Sequence, residues 1–290
     1  MAVEDLVAEL EDARKATLLR FANIDPQRLE DPLHWRGKPS SLRFLLSWLS
    51  EGAEARNATI AAALEQNGHH RTDAQRAIVS LGAWRGRLRG QLIGLSDEAF
   101  DLEPAGGEWS VRRVLGHVIA TDKRYEIAVR HAADRARRGG SGPMRPDESI
   151  LPERTGEAES FGSPRELRDR LRAIRWSALQ FLVTIPDALL AAPTNWVSWD
   201  LDVRFRIHRF ASHDREHTIQ IQKARQALGL HQTEPQLLLA DAMVELGALE
   251  ALLLCAGDGL LDNRLPGGGP SITILVSEAL DEERTLASEG

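Results

Sequence analysis

Apolar side chains recur at every third or fourth position over most of this chain, and short groups of turn-forming residues separate the runs. That spacing puts the apolar residues on one face of a helix, so it predicts amphipathic helices that each bury one side. Residues 78–92 and 239–253 show the pattern clearly. Their apolar positions include Ile78, Leu81, Trp84, Leu88 and Leu92 in the first run, and Leu239, Ala242, Leu246, Leu249 and Leu253 in the second. The chain is therefore predicted to be all-α.

The same order of elements recurs four times: a helix, a turn, a short loop and a second helix. Each turn contains Asp, Pro, Ser or Gly, which stop helices and form turns, and each ends on an apolar residue. These closing residues are Leu29, Phe100, Leu190 and Leu261, so the first and last spacings are equal and the middle one is longer. Helical hairpins align loosely in any case, because apolar spacing is generic. The recurring order nevertheless favours four copies of one helical hairpin.

The second helix of each copy can be aligned at its start. Three copies begin with a serine, at Ser41, Ser110 and Ser271, which is a good helix N-cap. The third copy, aligned at Arg206, lacks this small polar residue. Seven residues further on, the four copies carry Trp48, His117, His213 and Glu278. Only the two middle copies can therefore supply histidines from this position.

Two histidines on one predicted helix are the strongest candidates for chemistry. His213 and His217 are four residues apart, so they lie on the same helical face, and neither Gly nor Pro interrupts residues 203–228. Two imidazoles placed in this way commonly begin a zinc or nickel site. His117 is the best third ligand. The alternative is a set of core histidines, but burying the i,i+4 pair without a common partner is costly.

These segments resemble the DinB/YfiT-like superfamily of metal-binding four-helix bundles. In that family Trp-Ser-Val opens the second helix, a His follows the Ser by seven residues, and the fourth helix carries His-x-x-x-His. This chain has Glu108-Trp109-Ser110-Val111 with His117, and His213-Asp214-Arg215-Glu216-His217 followed by Thr-Ile-Gln-Ile. The resemblance covers roughly residues 73–228. It implies that the three histidines bind one divalent metal ion, zinc or nickel.

The resemblance also implies a DinB-like four-helix bundle over residues 71–231, with a long crossover between its second and third helices. Residues 139–162 fit that crossover, because they are too polar for a core and too long for a hairpin turn. A flexible surface loop is a compatible description. The third helix is predicted to begin at Ser163-Pro164-Arg165-Glu166, which has the form of a capping box.

The outer hairpins are expected to form a second helical layer or bundle. A lone hairpin cannot bury its apolar stripe, so residues 1–70 and 232–290 are predicted to be metal-free half-repeats that pair with each other. Pairing the first copy with the second and the third with the fourth would instead put His117 in a different bundle from the other two histidines. The equal outer spacings suit a monomer with a pseudo-dimeric architecture, and a homodimer is the alternative.

Several polar and aromatic residues lie near the three histidines in the sequence. Candidates for supporting the ligands or lining a pocket are Thr121, Tyr125, Arg209, Glu216, Trp109 and Trp199. Thr121 and Arg209 each lie one helical turn from a candidate ligand. Glu216 could orient an imidazole or pair with a basic neighbour. The tryptophans precede the two histidine-bearing helices, where they could close a pocket or simply pack the helix starts.

Composition narrows the classes of function. The chain has 36 Lys and Arg against 43 Asp and Glu, a net charge of −7, so no nucleic-acid or anionic-membrane partner is expected. The single cysteine, Cys255, excludes an internal disulfide and agrees with a reducing cytoplasm. Acidic residues near the N-terminus are unlike a signal peptide. No apolar run approaches the roughly 20 residues that span a bilayer. We expect a cytoplasmic protein whose partner is a small-molecule substrate.

Three histidines with one open coordination position are typical of catalytic zinc, which activates water or a thiol. The superfamily includes thiol-dependent S-transferases that use bacillithiol or mycothiol, and a relative of maleylpyruvate isomerase. The resemblance therefore implies a metal-dependent enzyme acting on a small molecule, either an S-transferase with a low-molecular-weight thiol or a hydrolase. Two alternatives stay open: a noncatalytic metal or small-molecule binding protein, and an interaction scaffold. The catalytic residues cannot be named from the sequence.

Overall fold

The computed structural model describes residues 2–196 and 199–289, and these residues form eight α-helices. In chain order the helices are α1 (Val3–Phe21), α2 (Leu42–Gln66), α3 (Asp73–Gly90), α4 (Val111–Arg137), α5 (Pro164–Leu182), α6 (Val203–Ala227), α7 (Glu234–Ala256) and α8 (Ile272–Glu289). The predicted all-α fold is confirmed. None of the helices in the described part of the chain combines the length and apolar character that a bilayer crossing requires.

Two short antiparallel β-hairpins interrupt the helices. Strand β1 (Pro32–Trp35) pairs with β2 (Lys38–Ser41), and β3 (Pro193–Trp196) pairs with β4 (Trp199–Asp202). In the first hairpin Arg36 and Gly37 both have positive φ, 51° and 75°, as a tight two-residue turn requires. The sequence pattern predicts loops for both segments. Strands of four residues give too little alternation of apolar and polar positions to be recognised.

The described residues divide into two compact units. The first unit takes its residues from the ranges 1–71, 82–94 and 232–290, and the second unit takes them from 72–81 and 95–231. Helix α3 contributes to both, its first half to the second unit and its second half to the first. In the first unit α3 approaches α7 closely, because a Cβ at Gly86 would lie 2.0 Å from the carbonyl oxygen of Met243. A side chain there would force the two backbones apart.

Each unit has its own helical core. In the first unit α2 packs on α7, and α1 packs on α8 and α7. In the second unit α4 packs on both α5 and α6, which brings the two histidine-bearing helices into direct contact. The start of α5 is fixed by the predicted capping box, in which Ser163 and Glu166 satisfy each other's backbone N–H groups.

Several element bounds in the two halves of the chain differ by the same distance along the sequence, which we call the repeat offset. It relates the start of α1 at Val3 to the start of α5 at Pro164, and it relates the ends of these two helices equally well. The same offset relates both ends of α2 to both ends of α6. The hairpins before α2 and α6 obey it too, since Pro32 pairs with Ser41 and Pro193 pairs with Asp202. The structure therefore supplies a register for comparing the halves that is independent of apolar spacing.

This register differs from the sequence alignment in two details. The third copy does have a polar residue at its helix start, because the Asp202 carboxylate accepts a hydrogen bond of 2.8 Å from the backbone N–H of Phe205. Helix α6 begins about one turn before the segment aligned at Arg206. At the repeat offset the position in the first half that corresponds to His213 is Gly52, whereas the sequence alignment places Trp48 there.

Candidate metal centre

The three histidines predicted as ligands converge in the second unit. His213 and His217 lie one turn apart on α6, and His117 faces them from α4. The Nε2 atom of His213 is 2.9 Å from Nε2 of His217 and 3.3 Å from Nε2 of His117. The three ligand atoms all lie within 4.8 Å of one another. A tetrahedral zinc ion with bonds of roughly 2.0–2.1 Å has ligand atoms roughly 3.3 Å apart, so the cluster is compatible with a metal ion.

Hydrogen bonds on the far side of two rings orient them toward this point. The Nδ1 atom of His117 donates to the carbonyl oxygen of Arg154 at 2.8 Å, and Nδ1 of His217 donates to Oε1 of Gln220 at 2.8 Å. A proton on Nδ1 leaves the Nε2 lone pair free to bind a metal, which is the usual arrangement at metal-bound histidines. A divalent cation is the partner that satisfies all three Nε2 atoms at once.

Burial keeps the three rings neutral. Burial lowers the pKa of His117, and the hydrogen bond to the Arg154 carbonyl opposes this effect without reversing it. Burial and the two neighbouring imidazoles strongly lower the pKa of His213. Burial lowers the pKa of His217 to about 4. Neutral imidazole is the form that binds metal, so near neutral pH the protons offer little competition.

These shifts predict that the metal-free protein loses stability as the pH falls from about 7 to about 4. Unfolded His217 gains a proton near its ordinary pKa of 6.5, whereas folded His217 gains one only near 4. Between these values the unfolded state binds more protons than the folded state, so the free energy of unfolding decreases as the pH is lowered. The contribution of His217 to this decrease is roughly 3 kcal/mol. Denaturant titrations across this range should show a smaller fall for His217→Gln. Parallel pH profiles would contradict the prediction.

A pair of glycines lets the crossover approach the histidine cluster. Gly116 precedes His117 on α4, and a Cβ on Gly116 would lie 2.6 Å from the carbonyl oxygen of Gly156. Gly156 itself has a φ of +74°, which side chains rarely adopt. This close contact positions the carbonyl of Arg154, two residues earlier, against the His117 ring. The crossover is therefore part of the site, as well as a connection between helices.

A buried ion cluster holds the helices that carry the ligands. Arg175 on α5 forms salt bridges with Asp122 on α4 and with Asp214 on α6. All three side chains are almost fully buried. Burial lowers the pKa of Arg175, but the two carboxylates more than offset this effect, so its pKa is raised and the charge is retained. Asp214 adjoins His213, so the cluster fixes α4, α5 and α6 next to the ligands.

A cavity of about 230 Å³ lies beside the histidines. Among the residues predicted from the sequence, its walls include His117, His213, Thr121, Tyr125 and Arg209. The Tyr125 ring meets the His213 ring edge-on, with centroids 5.7 Å apart. Burial raises the pKa of Tyr125, so its hydroxyl remains a hydrogen-bond donor at neutral pH.

His217 is not part of the lining, and three of the six predicted supporting residues also lie outside it. Glu216 accepts two hydrogen bonds from Arg209, at 2.8 and 2.7 Å, and so fixes that guanidinium. Trp109 packs edge-on against the His117 ring, with centroids 5.3 Å apart. Trp199 is 67% exposed, and its hairpin partner Trp196 lines the cavity instead.

Sequence reasoning missed several residues of the site. Arg206 precedes His213 by seven residues, two helical turns, so the shared face was a usable signal. Arg175 lies on the apolar stripe of α5 between Leu171 and Leu179, and an arginine in that position signals a buried ion pair. Arg145 belongs to the crossover, and periodicity does not determine the path of such a segment.

The second unit thus defines a helical bundle with a histidine cluster compatible with metal binding. Residues 80–221 match the family model of the DinB superfamily. The match spans just under half of the chain and includes all three histidines, so it supports the assignment of this segment to the DinB superfamily. Comparisons with curated proteins and with solved structures gave no significant match.

Proposed function

We propose that the second unit is the active centre of a metal-dependent enzyme that acts on a small molecule, by transfer of a small thiol or by hydrolysis. The observation that carries this proposal is the convergence of three Nε2 atoms beside a cavity, with His117 and His213 in the cavity wall. Structural zinc sites are closed by four protein ligands, whereas three ligands beside a cavity leave room for a reactant. The all-imidazole donor set favours zinc or nickel.

A divalent metal held by the three histidines would supply Lewis acidity, which favours the deprotonated form of water or of a thiol in the cavity. The chain's own residues position the reactants: Thr121 and Tyr125 line the cavity, and Glu216 holds Arg209 in place. In thiol transfer the sulfur bonds to an electrophilic carbon of the substrate. The leaving group departs with the electron pair of the broken bond, and the thiol proton passes to solvent. In hydrolysis the oxygen of water takes the place of sulfur.

The reacting thiol must come from a second small molecule. Cys255 is the only cysteine of the chain, it is buried, and it belongs to the first unit. Burial raises the pKa of its thiol to about 12, so it stays protonated at neutral pH. A low-molecular-weight thiol is therefore the cosubstrate of the transfer reaction proposed here.

The test begins with elemental analysis of the purified full-length protein. Protein reconstituted with zinc, with nickel or with no metal is then assayed with a nitroaryl chloride and a panel of low-molecular-weight thiols, and with a nitrophenyl ester. We expect turnover that depends on the metal and is unchanged in Cys255→Ala. Equal turnover without metal would contradict the proposal. Stoichiometric metal without turnover would instead support the noncatalytic binding function.

We infer in addition that the chain is a tandem duplication and that its first unit is a metal-free copy. The repeat offset shared by several helix bounds of the two halves supports this. At that offset, the positions of His117, His213 and His217 correspond to Glu278, Gly52 and Arg56. Arg56 forms a 2.9 Å salt bridge with Glu282. A guanidinium has no lone pair to offer a cation, so we expect one metal ion per chain.

A further inference from the structure

Arginines dominate the cavity beside the histidines. Five of them line it: Arg124 from α4, Arg145 and Arg154 from the crossover, and Arg206 and Arg209 from α6. Glu148 is the one carboxylate in the lining among the described residues. The chain as a whole is acidic, with a net charge of −7, so this local excess of positive charge is opposite to the average. A concave surface of one sign concentrates ligands of the other sign.

Three of the five arginines are already paired with carboxylates. Glu148 lies 2.7 Å from Arg124 and 3.8 Å from Arg154. Glu216 forms two hydrogen bonds with Arg209. These ion pairs hold three guanidinium groups in place. Two carboxylates cannot neutralise five arginines, so the cavity keeps an excess of positive charge.

Arg206 and Arg145 have only neutral partners among the described residues. Arg206 donates to the backbone carbonyl of Asn195, and Arg145 donates from Nε to Oδ1 of the same residue at 2.6 Å. Arg206 is only 6% exposed, and its Nε–H has no hydrogen-bond partner among the described residues. Burial, together with the nearby positive charges of Arg124, Arg145 and Arg209, lowers its pKa to about 10. A buried guanidinium with an unused donor is unfavourable unless an anion joins it.

The remaining lining completes a pocket for a small acid. Ala128, Pro146, Leu151 and Trp196 supply apolar walls, while His117 and His213 stand in the same cavity. Its volume of about 230 Å³ is below the roughly 300–1,000 Å³ of pockets for drug-sized ligands, so the molecule that fits is smaller than these.

We propose that this cavity binds a small organic acid, with Arg206 and Arg145 holding its carboxylate and the rest of the molecule reaching the three histidines. The inference rests on the proposed function, because it names the substrate class of the same site. Guanidinium groups bind carboxylates through paired N–H donors in a fixed plane, which aligns the bound molecule as well as attracting it. The reacting atoms of the substrate would thereby be held beside the metal-binding histidines.

The probe for this proposal is succinate, compared with the neutral succinamide at constant ionic strength. Binding to the full-length protein is measured by calorimetry and by the shift in thermal unfolding, with zinc-loaded and metal-free samples. We expect succinate to bind at least tenfold more tightly than succinamide. Arg206→Gln should weaken succinate binding by about tenfold or more, since hydrogen bonds to charged groups contribute roughly 1.5–3 kcal/mol. Arg145→Gln, at the exposed rim, should weaken it several-fold.

Arg165→Gln is the matched control, because Arg165 is exposed on α5 and is not among the residues that line the cavity. It should bind succinate as the unchanged protein does. Equal affinity for succinate and succinamide would overturn the proposal, and so would binding of inorganic phosphate without binding of succinate. If Arg206→Gln fails to fold, unchanged succinate binding in Arg145→Gln would still overturn the role given to that residue pair.

Metal content separates this proposal from the proposed function. If the protein holds no metal but binds succinate through Arg206, the acid-binding site stands and the metal-dependent function fails. If the protein holds stoichiometric metal but does not distinguish succinate from succinamide, the metal centre stands and the acid-binding inference fails.

Discussion

Replacing His213 with alanine is expected to abolish stoichiometric metal binding in a protein that keeps its helical content. His213 Nε2 lies next to the Nε2 atoms of both other histidines, at 2.9 and 3.3 Å. Without it, the two remaining imidazoles come from different helices and share no third ligand. Losing a hydrogen-bonded partner of a ligand already lowers metal affinity roughly 10–100-fold, so losing a ligand should lower it more than about 100-fold.

The measurement is the metal content of purified His213→Ala after dialysis, with circular dichroism to confirm the helices. His131→Ala is the matched control, since His131 lies on α4, like His117, but bonds to the carbonyl oxygen of Pro143 at 2.9 Å. The control should retain one metal ion per chain. Full metal occupancy in His213→Ala would show that the three histidines are not the binding site.

The helical architecture could be predicted because it depends on local signals. Apolar spacing identifies helix faces, and the residues that cap helices identify their starts, as Ser110 and Ser163 do. The same repeat offset is already present in the turns of the sequence. It separates the closing residue of the first turn, Leu29, from that of the third, Leu190, and it separates Phe100 of the second turn from Leu261 of the fourth. The apolar spacing could not show how α6 aligns with α2, the corresponding helix of the first half. The residue that caps α6, Asp202, is the last residue of a short hairpin that has no periodic signal.

The candidate site likewise has a part that the sequence could predict and a part that it could not. The three histidines could be identified from local signals. His213 and His217 have i,i+4 spacing on one predicted helix, and His117 lies near the start of another. The carbonyl of Arg154 and the guanidinium of Arg145 could not be identified in this way, because both belong to the crossover. The position of the Arg154 carbonyl follows from the tight contact between Gly116 and Gly156, which depends on the folded path of the long connection between α4 and α5. Long-range contacts of this kind have no counterpart in local sequence patterns.

Replacing Arg175 with methionine is expected to destabilise the second unit and to weaken metal binding together. Arg175 stands between the buried carboxylates of Asp122 and Asp214. Its loss leaves two like charges close together in the core. Breaking a buried ion pair by removing one partner lowers the free energy of unfolding by roughly 3–5 kcal/mol. Because Asp214 adjoins His213, the repulsion should also displace α6 from α4 and reduce zinc affinity at least tenfold.

The first unit provides the matched control for this variant. At the repeat offset Arg14 corresponds to Arg175, and it forms a buried salt bridge with Glu283, which corresponds to Asp122. We expect Arg14→Met to lower stability in thermal and denaturant unfolding while leaving one metal ion per chain. Arg175→Met should lower both stability and metal content. Restoring neutrality in Arg175→Met with Asp122→Asn and Asp214→Asn should recover part of the stability, because no uncompensated charge then remains buried. Full zinc affinity in Arg175→Met would show that the ion cluster does not position the ligands.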